Sequence, residues 1–325
     1  MKSSVSPNID QQMAQDVRWG LGQHPRQLLS QYFYDDAGSE LFRDIMRMES
    51  YYLTDCEYEI FDQQAAGITK VFTQPGTPFR LIELGAGDGL KTKLLLRHLL
   101  QTDRQFTYLP IDISEGAIDN LSADLLAELP DLDFQAVVGE YFDALHRINE
   151  SHGQGHKVIL FVGGNIGNFS QPAAITFLQA VAREMDPKDQ LLIGFDLKKD
   201  PRTILRAYDD EGGITRAFNL NILSRLNREL GANFQIDQWQ HYASYDPVSG
   251  ETKSYLVSEA AQDVHFSVLK ETFHFGAWEP IWTELSQKYD LAMIESLAQA
   301  AGFQVIHNFI DERGFLMDSV WSLRT

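Results

Sequence analysis

The chain is poor in the features that mark secreted, membrane-spanning or nucleic-acid-binding proteins. It has a single cysteine, Cys56, so no disulfide can close within it, and a reducing compartment is expected. No apolar run approaches the roughly 20 residues that cross a bilayer as a helix, and residues 1–10 lack the apolar core of a secretory leader. Basic residues are outnumbered, 27 Lys and Arg against 46 Asp and Glu, for a formal charge of −19. Phosphate backbones and anionic bilayers select positive clusters, so neither nucleic acid nor membrane is an expected partner. Repeats and low-complexity tracts are absent. With 44% hydrophobic and 22% charged residues the composition is that of a folded globular protein. At 325 residues the chain exceeds the comfortable size of one core. The expectation is a cytoplasmic monomer of two domains, acting on a small molecule.

The organising stretch is LIELGAGDGLKTKLLL at 81–96. Phe79, Leu81, Ile82 and Leu84 read as a buried strand, Gly85-Ala86-Gly87-Asp88-Gly89 as a turn, and the leucines at 94, 95, 96, 99 and 100 as a helix over 90–100. Strand, glycine turn and helix open a nucleotide-binding α/β unit, because glycine lets backbone approach a ligand with no Cβ in the way. The spacing is G-x-G-x-G, not the G-x-G-x-x-G of dinucleotide-binding folds. Glu83 places a carboxylate just ahead of the turn, where a cationic or hydroxyl-rich ligand would sit. A second strand over 106–114 carries Asp112 at its carboxyl end, where an acid accepts hydrogen bonds from ribose hydroxyls. The alternative for Asp112 is local turn bonding before a helix capped by Ser114. A third strand over 134–138 precedes Glu140 and Tyr141, which suit an adenine, or else are a solvated acid beside a core aromatic. KVILFV at 157–162 reads as a central parallel strand buried on both faces. It ends in Gly163-Gly164-Asn165-Ile166-Gly167-Asn168. That segment offers room and amides that donate and accept. It also suits a tight turn into a helix over 171–185 with Ser170 as N-cap and Pro172 in the first turn.

Residues 1–60 read as helical, interrupted by Gly20, Gly22 and Pro25. Ser39 is the expected N-cap of a helix through Met46, and Thr54 that of a helix over 55–68. Tyr32, Tyr34, Tyr51 and Tyr52 fall in two loops. They either wedge the N-terminal helices onto the sheet or line a pocket, since tyrosine pairs an apolar ring with a hydroxyl. A turn is expected at 75–78. After a fifth strand over 190–195, ending in Asp196, the β-α rhythm stops. Residues 201–230 read as helix with a break at 208–213, and 234–246 and 253–268 alternate as strands. A helix over 291–301 stops at Gly302, before a strand pair at 303–310 and 316–323. The fold class is therefore α/β: a Rossmann-like seven-stranded sheet, with a second, smaller α+β domain. The sheet domain is placed at 63–199 and 287–325, the smaller at 1–62 and 200–286. No metal is expected. His152 and His156 sit in a glycine-rich loop with no third ligand, and Asp209-Asp210-Glu211 suits a helix-end turn. His265 and His274 are expected to be structural or surface groups.

The glycine turn with its preceding acid looks like the first motif of S-adenosylmethionine (SAM) dependent methyltransferases, whose sheet has this mostly parallel, seven-stranded plan. Six segments in order are more specific: FYDDAGSELF at 33–42, ESYYLTDCE at 49–57, ELGAGDGLKT at 83–92, GGNIGN at 163–168, AYDDEGGITRAFNLN at 207–221 and TELSQK at 283–288. Together they resemble the histidine-specific N-alpha-methyltransferases of ergothioneine biosynthesis over nearly the whole chain. The resemblance implies SAM as cofactor, bound by Gly85, Gly87, Lys91, Asp112, Glu140 and Tyr141, with Glu83 beside them. It implies an amino-acid substrate at Tyr51, Gly163, Asn168, Tyr208, Glu284 and Ser286. Asn168 and Tyr208 would hold the carboxylate, Tyr34 and Tyr51 would hold and aim the amine as the catalytic pair, and Glu284 and Ser286 would bond the imidazole. Two departures stand out. Gly163-Gly164-Asn165 replaces the Gly-Ser-Thr common in the family, and Ser254 stands where relatives often carry methionine.

The expected reaction is conversion of L-histidine to N-alpha,N-alpha,N-alpha-trimethylhistidine (hercynine). The alternative is N-methylation of another amino acid or small amine, to which the departures point. Some relatives methylate a prenylated tryptophan, but an indole offers one donor and would use an acid-plus-hydroxyl pair poorly. A nicotinamide-dependent oxidoreductase is disfavoured by the glycine spacing and by the lack of a second glycine-rich βαβ half. The absence of an obvious strong general base motivates one further reading, a silent ligand-binding module.

Overall fold

A computed structural model describes residues 11–72, 77–102, 104–152 and 155–324, with backbone only for 151–152. Residues 1–10, the first half of the turn expected at 75–78 and the middle of the 152–156 loop lie outside the described residues. In chain order the elements are α1 (Gln11–Leu21), β1 (Arg26–Gln27), α2 (Asp36–Met46), α3 (Tyr52–Phe72), β2 (Phe79–Leu84), α4 (Thr92–Leu100), β3 (Phe106–Asp112), α5 (Glu115–Glu128), β4 (Val137–Val138), α6 (Tyr141–His152), β5 (His156–Phe161), α7 (Gln171–Arg183) and β6 (Gln190–Asp196). There follow α8 (Pro201–Tyr208), α9 (Ile214–Leu230), β7 (Trp239–Tyr245), β8 (Glu251–Ser258), β9 (Gln262–Phe266), β10 (Glu271–Phe275), β11 (Pro280–Gln287), α10 (Leu291–Ala301), β12 (Phe303–Ile310) and β13 (Leu316–Leu323). The chain divides into two compact units, Leu53–Lys198 with Gln287–Thr325, and Met1–Tyr52 with Lys199–Ser286.

The first unit is built on a seven-stranded sheet of order β12-β13-β6-β5-β2-β3-β4. β2 pairs in parallel with β3 and β5, and β5 with β6, whereas β13 runs antiparallel to both β6 and β12. β5 is the middle strand, as its uninterrupted apolar run requires. The chain winds outward from β2 through β3 to β4 and then restarts on the other side at β5. The carboxyl ends of β2 and β5 therefore flank the point where winding reverses, which is where open α/β sheets bind ligands. Ile82, Leu84, Ile159, Phe161, Ile193, Phe195 and Trp321 form its core with apolar faces of the covering helices, among them Phe177 and Leu178 of α7 and Leu297 of α10.

The second unit holds a four-stranded sheet of order β1-β11-β8-β7 and the antiparallel pair β9–β10. On β8, residues 252, 254, 256 and 258 are buried and their neighbours are not, the period of two expected for a strand with one face covered. Helix α9 buries Phe218, Ile222, Leu223, Leu226 and Leu230, a helical stripe that meets Trp239, Leu256, Phe266 and Ile281 in a separate core.

Several local expectations are corrected. Asp35, not Ser39, caps α2, its carboxylate accepting from Gly38 N at 2.8 Å. α3 begins at Tyr52, which places Thr54 inside its first turn. The third strand shrinks to Val137–Val138 plus an isolated bridge between Tyr108 and Phe134. The alternation over 253–268 covers two strands, because Ser258 Oγ turns back to Ala260 O at 2.7 Å and breaks the run. His156 opens β5 with its Nε2 2.9 Å from Phe72 O, rather than lying in a solvated loop. Ser170 precedes α7 without a side-chain cap bond.

At Gly38 the first turn of α2 passes so close to the preceding loop that a Cβ would lie 1.7 Å from Phe33 O. Gly38→Ala is expected to destabilise the protein by about 2–4 kcal/mol, a backbone clash with no flexible side chain to yield. Denaturant unfolding measures it, and a change under about 0.5 kcal/mol, the range of neutral surface substitutions, would contradict the close approach.

Candidate active site

The expected cofactor residues all lie in the sheet unit. Gly85 adopts φ +76°, a left-handed conformation that costs other residues dearly. Its N–H and that of Ala86 both donate to Ile111 O, at 2.8 and 3.1 Å, which folds the turn back over β3. A Cβ at Gly85 would sit 2.8 Å from the Tyr141 hydroxyl and 3.9 Å from Asn165 Nδ2, whereas one at Gly87 would meet nothing within 4 Å. The turn is thus closed on one side and open on the other. Asp112 makes the local turn bonds given above as its alternative. Its Oδ1 accepts from Ser114 N at 2.9 Å and its Oδ2 from Gly87 N at 3.1 Å, which ties the end of β3 to the glycine turn. Ser114 caps α5. A carboxylate has about four lone-pair sites, so capacity for ribose hydroxyls remains. Tyr141 packs edge-on to Phe161 and Phe177, while Glu140 and Asn168 are exposed.

Glu83 is buried, its Oε1 accepting from Thr92 Oγ1 at 2.7 Å and its Oε2 from the Tyr108 hydroxyl. The protein itself engages both oxygens, so this acid braces β2, β3 and α4 beneath the turn. Burial drives its pKa up to about 7, against the opposing pull of the Tyr108 and Thr92 bonds.

Lys91, at the N-terminus of α4, pairs with Glu57 of α3. Burial alone would lower the ammonium's pKa, but the Glu57 charge and bond raise it above the ordinary lysine value. The other Glu57 oxygen accepts from Gly163 N at 2.6 Å. Gly163 and Gly164 both have positive φ, and a Cβ at Gly163 would meet Asn165 Nδ2 at 3.4 Å and Lys91 Nζ at 3.6 Å. Gly85, Lys91, Tyr141, Gly163 and Asn165 therefore gather at the carboxyl ends of β2 and β5. Glu57 escaped the sequence reading although its signal was present. Leu53, Cys56, Glu57, Ile60 and Phe61 are buried at helical spacing, an acid on an apolar stripe. Asp318, buried between Met317 and Ser319 on β13, escaped likewise.

Tyr34, Tyr51, Tyr208, Glu284 and Ser286 belong to the smaller unit. Tyr34 and Tyr51 each meet the Phe42 ring edge-on, at 5.4 and 6.4 Å between centroids, and Tyr34 also contacts Phe218. The hydroxyl of the buried Tyr208, at the end of α8, donates to Ser286 Oγ at 2.7 Å. Two residues earlier on β11, hence on the same face, Glu284 Oε2 accepts from Ser254 Oγ of β8 at 2.9 Å. The serine that departs from the family pattern orients the carboxylate expected to face the substrate. Asp210 caps α9 through Ile214 N and Thr215 N, at 2.9 and 2.8 Å, so the acidic run is a helix-end turn. Among the described residues no group of three His, Cys, Asp or Glu is placed to hold a metal ion, and no helix is long and apolar enough to cross a membrane.

The raised Glu83 titration has a stability consequence. Below pH ~4.5 the acid is protonated in both folded and unfolded chains. As pH rises toward about 7 the unfolded chain loses the proton first, so the stabilisation declines, by on the order of 3 kcal/mol in all. Glu83→Gln is expected to remove that decline, read as the difference between variant and wild-type unfolding free energies at pH 4.5, 6 and 8. A difference independent of pH would contradict a buried, proton-holding Glu83.

Comparison with known proteins identifies the family. The family of histidine-specific, SAM-dependent methyltransferases matches residues 13–323. A histidine N-alpha-methyltransferase of Mycolicibacterium smegmatis is 33% identical over 302 residues, covering 93% of this chain and 92% of that protein. One of Mycobacterium tuberculosis is 34% identical over the same shares. Ergothioneine biosynthesis protein 1 of Schizosaccharomyces pombe is 30% identical over 235 residues, 71% of this chain and 30% of that longer one. With a match spanning almost every described element, the chain belongs to the histidine-specific, SAM-dependent methyltransferase family.

Proposed function

We propose that this protein methylates the α-amino nitrogen of L-histidine three times to give hercynine, a step of ergothioneine biosynthesis, and that it works as a cytoplasmic monomer. The observation that carries the substrate reading is the set of polar groups on one sheet face of the smaller unit. The Glu284 carboxylate is aimed by Ser254, and the Ser286 hydroxyl is held by Tyr208. An acid and a hydroxyl two residues apart match the two ring nitrogens of an imidazole, and the acid fixes its tautomer through a charge-assisted bond.

SAM supplies an electrophilic methyl group on a sulfonium. The residues of this chain have three tasks: to hold the amine in line, to keep it neutral and to exclude water. Asp112 holds ribose hydroxyls, Glu140 and Tyr141 the adenine, and Gly85 and Gly87 let the cofactor lie against backbone, with Lys91 beside Gly163 and Glu83 bracing the turn. Asn168 and Tyr208 take the histidine carboxylate. Tyr34 and Tyr51 hold and aim the amine, accepting or relaying its proton without adding a fixed charge. The smaller unit is thus the substrate-binding domain and the sheet unit the SAM-binding domain.

Mass spectrometry of the product from histidine and SAM is expected to show three added methyl groups. Product from another amino acid or small amine, with none from histidine, would replace histidine as the substrate. Glu284→Ala is expected to raise the KM for histidine by at least about tenfold, the loss of a charged hydrogen bond, with the KM for SAM nearly unchanged. Asp112→Ala is expected to do the reverse. Equal losses for both substrates in either variant would contradict the assigned roles.

A further inference from the structure

Beneath the carboxyl ends of β2 and β5 lie two carboxyl groups that none of the roles above uses. Glu57 and Asp318 are both fully buried, and the charge of each bears on the other. Glu57 accepts from Gly163 N at 2.6 Å and pairs with Lys91. Neither Asp318 oxygen receives an N–H or hydroxyl bond among the described residues. The two acids converge over Gly194 of β6. A Cβ there would lie 2.5 Å from Glu57 Oε1 and 3.2 Å from Asp318 Oδ1, so only glycine leaves room for both.

Two ionised carboxylates against one ammonium would leave net negative charge in a water-free place, which costs several kcal/mol per ion. One proton retained by the pair removes that cost. The other charged groups that act on the pair are Lys91 from the glycine turn, Glu83 of β2, and Asp311 in the turn between β12 and β13. Asp311 is committed to the N–H groups of Phe315 and Leu316, at 2.7 Å each, and to Arg313 N at 3.1 Å. Burial and the Glu57 charge push the Asp318 titration well up.

The geometry points to Glu57 and Asp318 as positioning residues that share one proton over Gly194, and so set the charge and the aim of the Lys91 ammonium toward the cofactor's carboxylate. An ammonium has three donors. One is committed to Glu57, and the Lys91 side chain keeps 22% of its surface exposed, so donors remain for an incoming anion. With Asp318 protonated, Glu57 and Lys91 form a neutral pair to which a carboxylate can be added. Were Asp318 ionised, the excess negative charge would repel that carboxylate. Without Glu57, neither Lys91 nor Gly163 N would have its anchor.

This inference rests on the SAM-dependent reading above. Calorimetric titration of the full-length wild type with SAM tests that reading by itself, since no binding would end the reading rather than the positioning role. In the same titration Asp318→Asn, a mimic of the protonated acid, is expected to bind within about threefold of wild type, whereas Asp318→Ala and Glu57→Gln weaken binding by at least about tenfold, the loss of a buried charged bond. Wild-type affinity for SAM is expected to fall as rising pH ionises Asp318, and the fall to be absent in Asp318→Asn. The double variant Glu57→Gln/Lys91→Met is expected to bind no more weakly than Lys91→Met, because Glu57 acts through Lys91. Should Glu57→Gln fail to fold, the Asn and Ala variants of Asp318 and their pH profiles decide. Equal damage from Asp318→Asn and Asp318→Ala, simple addition of the Glu57 and Lys91 losses, or a fall with rising pH that persists in Asp318→Asn would overturn the inference.

Discussion

A single carboxylate ties together the carboxyl-end edge of the sheet. Glu57 bonds the backbone of Gly163, pairs with Lys91 and meets Asp318, so one side chain of α3 links the loops after β2 and β5 to the antiparallel strand β13. Removing one partner from a buried pair typically costs 3–5 kcal/mol, because the other charge is left without water or counter-ion. The glycines at 163 and 194 follow from the same constraint. At 163 the backbone turns through a positive φ of +81° beside Lys91 and Asn165, and at 194 a Cβ would occupy the space where the acids meet.

The two units handle polarity differently. The sheet unit concentrates charge, with Glu57, Lys91, Glu83, Asp318 and the fully buried Lys288–Asp196 pair at 2.7 Å. The face of the smaller unit that carries Glu284 sets that one acid among hydroxyls, with Ser254, Ser286 and Tyr208 around it. Such a division suits methyl transfer. The cofactor carries charges of both signs and needs counter-charges, whereas hydroxyls orient a polar substrate without adding a fixed charge.

The strands of the sheet, the glycine turn and the helix caps at Ser114 and Gly302 were legible because each rests on contacts within a few residues. A central strand is continuously apolar because both faces are covered, and a cap is a local hydrogen bond. Where the reading slipped, a non-local contact had intervened. Gly38, pressed on the Phe33 carbonyl, lies in the first turn of a helix that begins three residues before the expected cap. Ser258, bonded to Ala260, splits what alternation alone made one strand. Of the candidate site, the bond of Asp112 to its own loop was legible by its place at a strand end, but its bond to the glycine turn was not.

Sequence alone determined that the chain is globular, of α/β class, and built round a glycine turn after a buried strand, because patterning and glycine chemistry are local properties. It also carried the family resemblance, which is written in residue identity. Only the tertiary structure decided that Glu83 faces inward to Thr92 and Tyr108, that Ser254 aims Glu284, and that Glu57 and Asp318 meet over Gly194. These are pairings between residues 9 to 261 positions apart, and which side chain reaches which is set by strand order and helix packing rather than by any neighbour along the chain.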